Sequence, residues 1–348
     1  MPCRVPEAKG AAEMTILTAT RAPSLSESEN RPDDIAREIP NPLSPGVLRD
    51  LSRLNPWRSM GQIVFEWTTI IGAVILCEQY WHPVLYLVTV LWIGARQHAL
   101  GILMHDGSHA RILRAKGWND AISEVFLSWP IFVTMRGYRK SHIPHHRFLD
   151  TDRDPDWVAK KTPEWEFPKS RLSLGLMLLK DLSGWNAFRL LSDLAKLGDP
   201  GDVTGSGHGF RMGRLSFYIL TAAIIGFFGL WQVFLLFWLV PLLTWFKVIT
   251  HLRSIAEHFA VEYDSVYTLS RTTYLTLFER FFIAPNHINY HVEHHLYPGV
   301  PFYRLPKLHM LLMEHAEFRK KAHTSYTYLG VLQECANYRR GVWQTLSG

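Results

Sequence analysis

Eight histidines fall in three clusters: His105-x-x-x-His109, His142-x-x-His145-His146 and His291-x-x-His294-His295. Neutral imidazole is the commonest metal-binding side chain. Residues three or four apart share one face of a helix, so each cluster can present its rings together. A single such pattern is a weak motif. Three in one chain point to a polynuclear metal site. The histidines overfill one tetrahedral zinc, and Cys3, Cys77 and Cys335 all lie outside the clusters. Two ions, each with an open position, suit the set better. Imidazole serves iron, copper, nickel and zinc alike, so spacing leaves the element open. No HExxH and no Glu-x-x-His occurs, which excludes the common metalloprotease motif and argues against a carboxylate-rich di-iron bundle. Pro144 is best tolerated in the first turn of a helix, so a helix is expected to begin there with His142 just ahead of it.

Other polar residues bear on the same site. His258 lies in the ionisable stretch Arg253 to His258, where a functional role competes with a snorkelling interfacial patch. His98, His251 and His287 are weaker candidates, either near the metal or simply buried. His82, His208, His309, His315 and His323 are taken as ordinary. Metal-bound histidines usually donate their second N–H to a carboxylate or carbonyl. Asp106, Glu257 and one or two of Asp150, Asp152, Asp154 and Asp156 could accept it. The alternative for the aspartate run is a water-exposed turn. Arg136, Arg139, Lys140 and Arg147 flank the second cluster. They could meet an anionic head group or an acidic redox partner, or form a solvated face.

These clusters need elements to hold them. A membrane-spanning helix takes about twenty mostly apolar residues. Gln62 to Trp81 and His82 to Met104 form one candidate pair, with Pro83 at the turn. Leu215 to Leu230 and Trp231 to Thr250 form a second pair, joined near Gly229. Ala121 to Met135 is apolar but short and is expected to be interfacial or re-entrant. Two out-and-back pairs put all three clusters on one side of the bilayer, the only topology in which they make a single site.

The net charge is +6, from 37 Lys and Arg against 31 Asp and Glu. Lys and Arg are missing from the turns near Trp81 and Gly229 and concentrated elsewhere. The positive-inside rule therefore assigns the N-terminal, middle and C-terminal regions to the cytoplasm. The basic balance suits anionic lipid head groups. Basic residues are spread over loops, which speaks against a nucleic-acid partner. Met1 to Pro56 is rich in Pro, Ser, Glu and Arg and lacks a secretory apolar core. It is expected to be a disordered cytoplasmic tail, with Pro40, Pro42 and Pro45 opposing regular structure. Three cysteines make no disulfide framework.

The three clusters, in this order around two apolar pairs, resemble the membrane fatty acid desaturase family. That wider group includes alkane hydroxylases, sphingolipid desaturases and carotenoid oxygenases. The resemblance runs from about Trp57 to Leu312. It is most specific in NYHVEHHLYPGVPFYRLPKLH, Asn289 to His309, and in SHIPHHRFLDTDRDP, Ser141 to Pro155. It implies an all-α integral membrane protein with four transmembrane helices in two hairpins and a cytosolic helical cap holding a di-iron site. The domains are then a tail over 1–56, a desaturase-like domain over 57–312 and a cytoplasmic segment over 313–348. The iron ligands implied are His105, His109, His142, His145, His146, His291, His294 and His295, with His258 matching a ninth position after the fourth span.

The resemblance also implies two Fe2+ ions as cofactors, dioxygen as co-substrate and two externally supplied electrons. No His-Pro-Gly-Gly occurs, so the donor is expected to be a separate ferredoxin or a cytochrome or flavin-linked reductase. Removal of two hydrogens from neighbouring carbons gives a double bond, whereas hydroxylation gives an alcohol by the same ligands. The favoured substrate is an acyl chain on lipid, carrier protein or coenzyme A. A small specialised metabolite, such as a dihydrorhizobitoxine-like amino-acid ether, is the alternative. The expected location is the inner membrane, multi-pass, with the active site on the cytoplasmic side. A metal transporter would place its ligands at mid-bilayer, whereas these clusters lie beyond the span ends. A zinc hydrolase is a further alternative.

Overall fold

A computed structural model describes residues 42–185, 208–262 and 265–338. Residues 1–41 of the tail expected over 1–56, and the end of the chain over 339–348, lie outside the described residues. The chain is mostly helical. Helix α1 (Pro45–Leu51) begins at Ser44, whose hydroxyl accepts from the Val47 N–H. This corrects the expectation of irregular chain up to the first span, because Pro45 occupies the first helical turn, where its missing N–H costs nothing. The same device starts the next two helices. Asn55 caps α2 (Pro56–Gln79) and His82 caps α3 (Pro83–Ser108), each followed by proline.

Helix α4 (Lys116–Ile122) runs into a π-helical turn at Ser123–Ser128 and a 3-10 turn at Trp129–Ile131. Then come α5 (Met135–Arg147), α6 (Pro155–Ala159), α7 (Arg171–Leu182) and α8 (His208–Phe227). Gly229 turns the chain at φ +66°, a conformation that glycine adopts without a Cβ penalty. The last apolar stretch is broken. Helix α9 (Trp231–Phe234) leads through a π-helical turn into α10 (Val240–Leu243), and α11 (Trp245–His258) follows a bend at Thr244. Gly94 of α3 lies against that bend. A Cβ there would come within 3.0 Å of the Trp245 Cβ and 3.1 Å of the Phe246 nitrogen.

Four stretches are long and apolar enough to cross a membrane: Pro45–Gln79, Pro83–Ser108, Phe210–Phe227 and Trp231–His258. They overlap the four expected spans, the first starting well before Gln62 because it takes in α1, and the last running past Thr250 to His258. Helix α3 is buried over nearly all of Ile93 to Ser108, which suits a central helix. Its Ile93, Leu100 and Leu103 pack with Ile63, Ile70 and Cys77 of α2 and with Leu127, Ile131 and Phe237. By contrast, α2 and α8 turn Phe65, Ile71, Ile75, Ile219, Leu220 and Phe227 outward. Cys77 and Cys335 are free and buried.

The remaining elements are short: β1 (Thr272–Tyr274), α12 (Leu277–Phe282), α13 (His291–Leu296), α14 (Leu305–Met313), α15 (Ala316–Lys321), β2 (Thr324–Tyr326) and α16 (Thr327–Asn337). The two strands pair in parallel, Thr273 opposite Ser325. This small sheet was not legible as sequence pattern. A second core gathers Leu51, Val292, Leu296, Leu305, Leu308 and Leu312 under α13 and α14. Each fully buried leucine there contributes about 1.5–3 kcal/mol.

Candidate metal centre

The end of α3 carries the first cluster: His105 in its last turn and His109 at the C-cap. Two neighbours fix this end. Asn119 Oδ1 accepts from the main-chain N–H groups of Ile112 and Leu113, and its amide donates to the Gly107 carbonyl. Gly107 itself faces Ser123, whose Oγ would lie 2.1 Å from an added Cβ. The close approach of α3 to the π-helical turn thus requires glycine.

The second cluster sits in the last turns of α5, not at its start. The helix begins at Met135, and Pro144 lies inside it. This corrects the expected start at Pro144. Thr134 caps the helix through its hydroxyl, and Glu124 supplies what sequence could not reveal. Its carboxylate accepts from the Met135 and Arg136 N–H groups at 3.1 and 2.9 Å. A negative group at a helix N-terminus satisfies orphan donors and complements the macrodipole. His142, His145 and His146 then share one face.

Arg139 was expected on a solvated or ligand-binding face. Instead it joins α5 to α3 and α4. Its two terminal nitrogens donate to Asp120 at 3.0 and 2.6 Å, and its Nε donates to the Ser108 carbonyl at 2.8 Å. Burial pushes the Asp120 carboxyl up, but hydrogen bonds from Arg139 and Asn119 outweigh it and hold the group below its ordinary value.

His258 is the last residue of α11. The C-terminal carbonyls of that helix are received by Arg271, which is 1% exposed. Its guanidinium donates to Ala256, Phe259 and Ala260 at 2.9, 3.1 and 2.7 Å. A cation suits a helix C-terminus. The third cluster lies on α13, where Glu293 points away from the histidines. Glu293 accepts from the Thr272 hydroxyl at 2.6 Å and from His309 Nδ1 at 2.5 Å. His309, taken as ordinary from sequence, therefore ties α14 and β1 to the helix that carries His291, His294 and His295.

All nine histidines singled out in sequence meet. His105, His109, His142, His146 and His294 form one group, with ring nitrogens within 4.8 Å of one another. His145, His258 and His295 form a second, and Glu257, His258 and His291 a third that shares His258. The imidazoles of His146 and His295 stack at 4.3 Å between the groups. Glu257, expected only as an outer partner, is itself within ligand reach. His98, His251 and His287 fall outside these groups. His98 Nδ1 meets the Ile283 carbonyl at 3.0 Å, and His251 Nδ1 meets Asp181 at 2.7 Å.

The donor chemistry fits metal ions. Nε2 atoms face each other at 3.0 Å (His109 and His142), 2.9 Å (His142 and His146), 3.0 Å (His146 and His294), 2.8 Å (His258 and His291) and 3.0 Å (His291 and His295). Two ligands at about 2.1 Å from one ion and at right angles lie about 3.0 Å apart. Both ring nitrogens of His105 and Nδ1 of His146 are buried without hydrogen-bond partners. Such atoms are costly unless something receives their lone pairs. Burial, then repulsion from neighbouring imidazoles, holds His142, His146, His291, His294 and His295 well below the ordinary imidazole range. His109 is lowered to about 4 by burial, Arg111 and Arg139. Neutral imidazole is the form that binds metal.

The outer partners are partly as expected. Asp154 accepts from His145 Nδ1 at 2.8 Å. Glu257 stands 3.4 Å from His291 Nδ1. Asp106 is 3.6 Å from His105 Nδ1, too long for a hydrogen bond, and instead accepts from the Phe302 N–H at 2.9 Å.

Residues 81–328 match the family described as fatty acid desaturase. Dihydrorhizobitoxine desaturase of Bradyrhizobium elkanii is 31% identical over 295 residues, 79% of this chain and 82% of that protein. The human sphingolipid delta(4)-desaturase/C4-monooxygenase DES2 is 28% identical, covering 66% of this chain and 67% of its own. An sn-1 oleoyl-lipid 12-desaturase of Picosynechococcus is 23% identical, covering 74% and 78%. With its histidines converging as described and the family match spanning most of its length, the chain belongs to the fatty acid desaturase family.

Proposed function

We propose that this protein is an integral membrane desaturase that uses two iron ions and dioxygen to introduce a carbon–carbon double bond. The observation that carries the reading is the convergence of nine histidines, in three groups of metal-ligand geometry of which two share His258, at the ends of α3, α5, α11 and on α13. The nine are assigned as the ligands. Iron bound there would supply the oxidising chemistry that removes hydrogen from an unactivated carbon, drawing electrons from a separate ferredoxin or a cytochrome or flavin-linked reductase.

The chain's own residues do the rest. Asp154 holds His145 in the tautomer that leaves Nε2 free. Glu293 and His309 fix α13, Arg139 fixes α5 on α3, and Arg271 fixes the end of α11. Burial of the rings keeps bulk water from the reacting centre, and a rigid site keeps the target carbon within reach, where a small misplacement costs much rate. The domain doing this is taken as 57–312. The four apolar stretches are taken as two hairpins with the histidines on the cytoplasmic side of the inner membrane, which the charge distribution supports.

An acyl chain on lipid, carrier protein or coenzyme A is the family-level substrate. A small specialised metabolite is the second reading, favoured by the 31% identity to dihydrorhizobitoxine desaturase over most of both chains. Mass spectrometry of lipids and small metabolites tests both. Cells expressing the chain are compared with cells expressing His294→Ala, each with a ferredoxin system supplied. A product lighter by two hydrogens, lost in the variant, is expected. A product heavier by one oxygen would instead mean hydroxylation and overturn desaturation.

A further inference from the structure

A cavity of about 160 Å³ borders the histidines, between α5, α6 and α11. His142, His145, His258 and His291 are among its lining residues, so whatever occupies it lies next to members of all three metal-ligand groups. The rest of its lining is polar and includes Tyr138, Asp156, Lys160, Arg253, Ser254 and Glu257. A void of roughly 150 Å³ holds a molecule of benzene's size. A long acyl chain is several times larger.

The charges in the wall are balanced, two acids against two bases. Lys160 Nζ donates to Asp156 at 2.6 Å and to Ser254 at 2.5 Å. Arg253 Nε donates to Glu257 at 2.6 Å. The Lys160 and Arg253 side chains keep 19% and 17% exposure, enough for a ligand to reach them. A hydrocarbon chain in this space would strip water from four charges and return no hydrogen bond. A lone carboxylate or a lone ammonium would upset the balance. A molecule carrying both can exchange with the existing pairs, its carboxylate on Lys160 and Arg253 and its ammonium on Asp156 and Glu257, and leave no charge without a partner.

We propose that this cavity is the head-group site of the substrate, and that the substrate is a small zwitterion of amino-acid type whose short carbon chain reaches the histidines. The proposal rests on the metal-dependent reading above and deepens it. The probes are norleucine, hexanoate and hexylamine, which share a short unbranched carbon chain and differ in the charges at its head. They are titrated into the full-length protein in detergent after loading with Co2+, whose visible absorption reports on its surroundings, and metal content is measured first.

Norleucine is expected to change the cobalt spectrum saturably and to bind at least about tenfold more tightly than either singly charged probe. Lys160→Met should weaken norleucine by roughly ten- to a hundredfold, the loss of one charge-assisted hydrogen bond. Lys160→Arg should restore most of it, and all three proteins should hold the same metal. Norleucine binding no better than hexanoate and hexylamine, or binding unchanged in Lys160→Met, overturns the proposal while the metal reading stands. A protein that takes up no cobalt and no iron overturns both.

Discussion

Asp154 Oδ2 lies 2.8 Å from Nδ1 of His145, and the same carboxylate accepts main-chain N–H groups from Asp150, Asp156 and Trp157. One side chain thus both caps α6 and orients an imidazole. Asp154→Asn keeps the shape but offers an amide N–H where the ring needs an acceptor. Metal affinity is expected to fall about ten- to a hundredfold, as for other partners of metal-bound histidine. Competition with a chelator checks this, and unchanged affinity would remove Asp154 from the site.

Arg271 is buried between three carbonyls and Glu334, whose carboxylate lies 3.2 Å from its Nε. Arg271→Met leaves Glu334 and the end of α11 without their cation. Breaking a buried pair on one side costs about 3–5 kcal/mol. The variant is expected to melt at lower temperature in detergent and to lose His258 from the site. A thermal scan with metal analysis tests it, and wild-type values for both would contradict the capping role.

Gly107→Ala places a Cβ 2.8 Å from the Ser123 Cβ, a fixed atom rather than a flexible tip. Overpacking of this kind costs typically about 1–3 kcal/mol. Ser123→Gly in the same chain should recover most of the loss. Failure of that rescue would mean the contact is not the cause.

Within the apolar helices, Glu66 and Arg96 are 0% and 3% exposed and pair at 2.9 Å, with Asn286 donating to the same carboxylate. Asn286 belongs to the loop that leads into α13, so the pair links the apolar helices to the third cluster. Glu66→Gln or Arg96→Met alone leaves one buried charge uncompensated and should cost about 3–5 kcal/mol. Removing both should cost less than either single change, measured as yield and melting temperature. Additive losses would show the two to be uncoupled.

Acid should act against both stability and metal retention. An unfolded histidine titrates near 6.5, whereas folded His109 titrates at about 4 and its neighbours are also lowered. The unfolded chain therefore binds more protons between these values. The stability held by the neutral rings is complete above about pH 6.5 and is lost as pH falls toward 4. Melting temperature and bound metal should decline together over that window. A flat profile from pH 7 to 5 would contradict it.

Much of this site was legible in sequence because its signals are local. Three histidine clusters at helical spacing and four apolar stretches are patterns a few residues wide. The carboxylate and guanidinium partners are not. Glu124 caps α5 from the preceding turn, Arg271 reaches back to α11, and Glu293 meets His309, pairings set only by the folded chain. Pro144 misled because a proline rule for helix starts was applied where Thr134 and Glu124 had already begun the helix. Arg139 looked like surface charge because nothing nearby in sequence announces Asp120 or the carbonyls of α3.

The order in which the ligands occur along the chain has a consequence for biogenesis. The five-histidine group needs His294, and the groups around His258 need His291 or His295. Neither is complete until translation has passed His291, by which time all four of the apolar stretches described above have been synthesised. Insertion into the bilayer must therefore proceed without help from bound metal, and loading is a late step of maturation. Shortage of the metal would then leave an inserted but inactive protein that can still be filled, rather than a chain that never reaches the membrane.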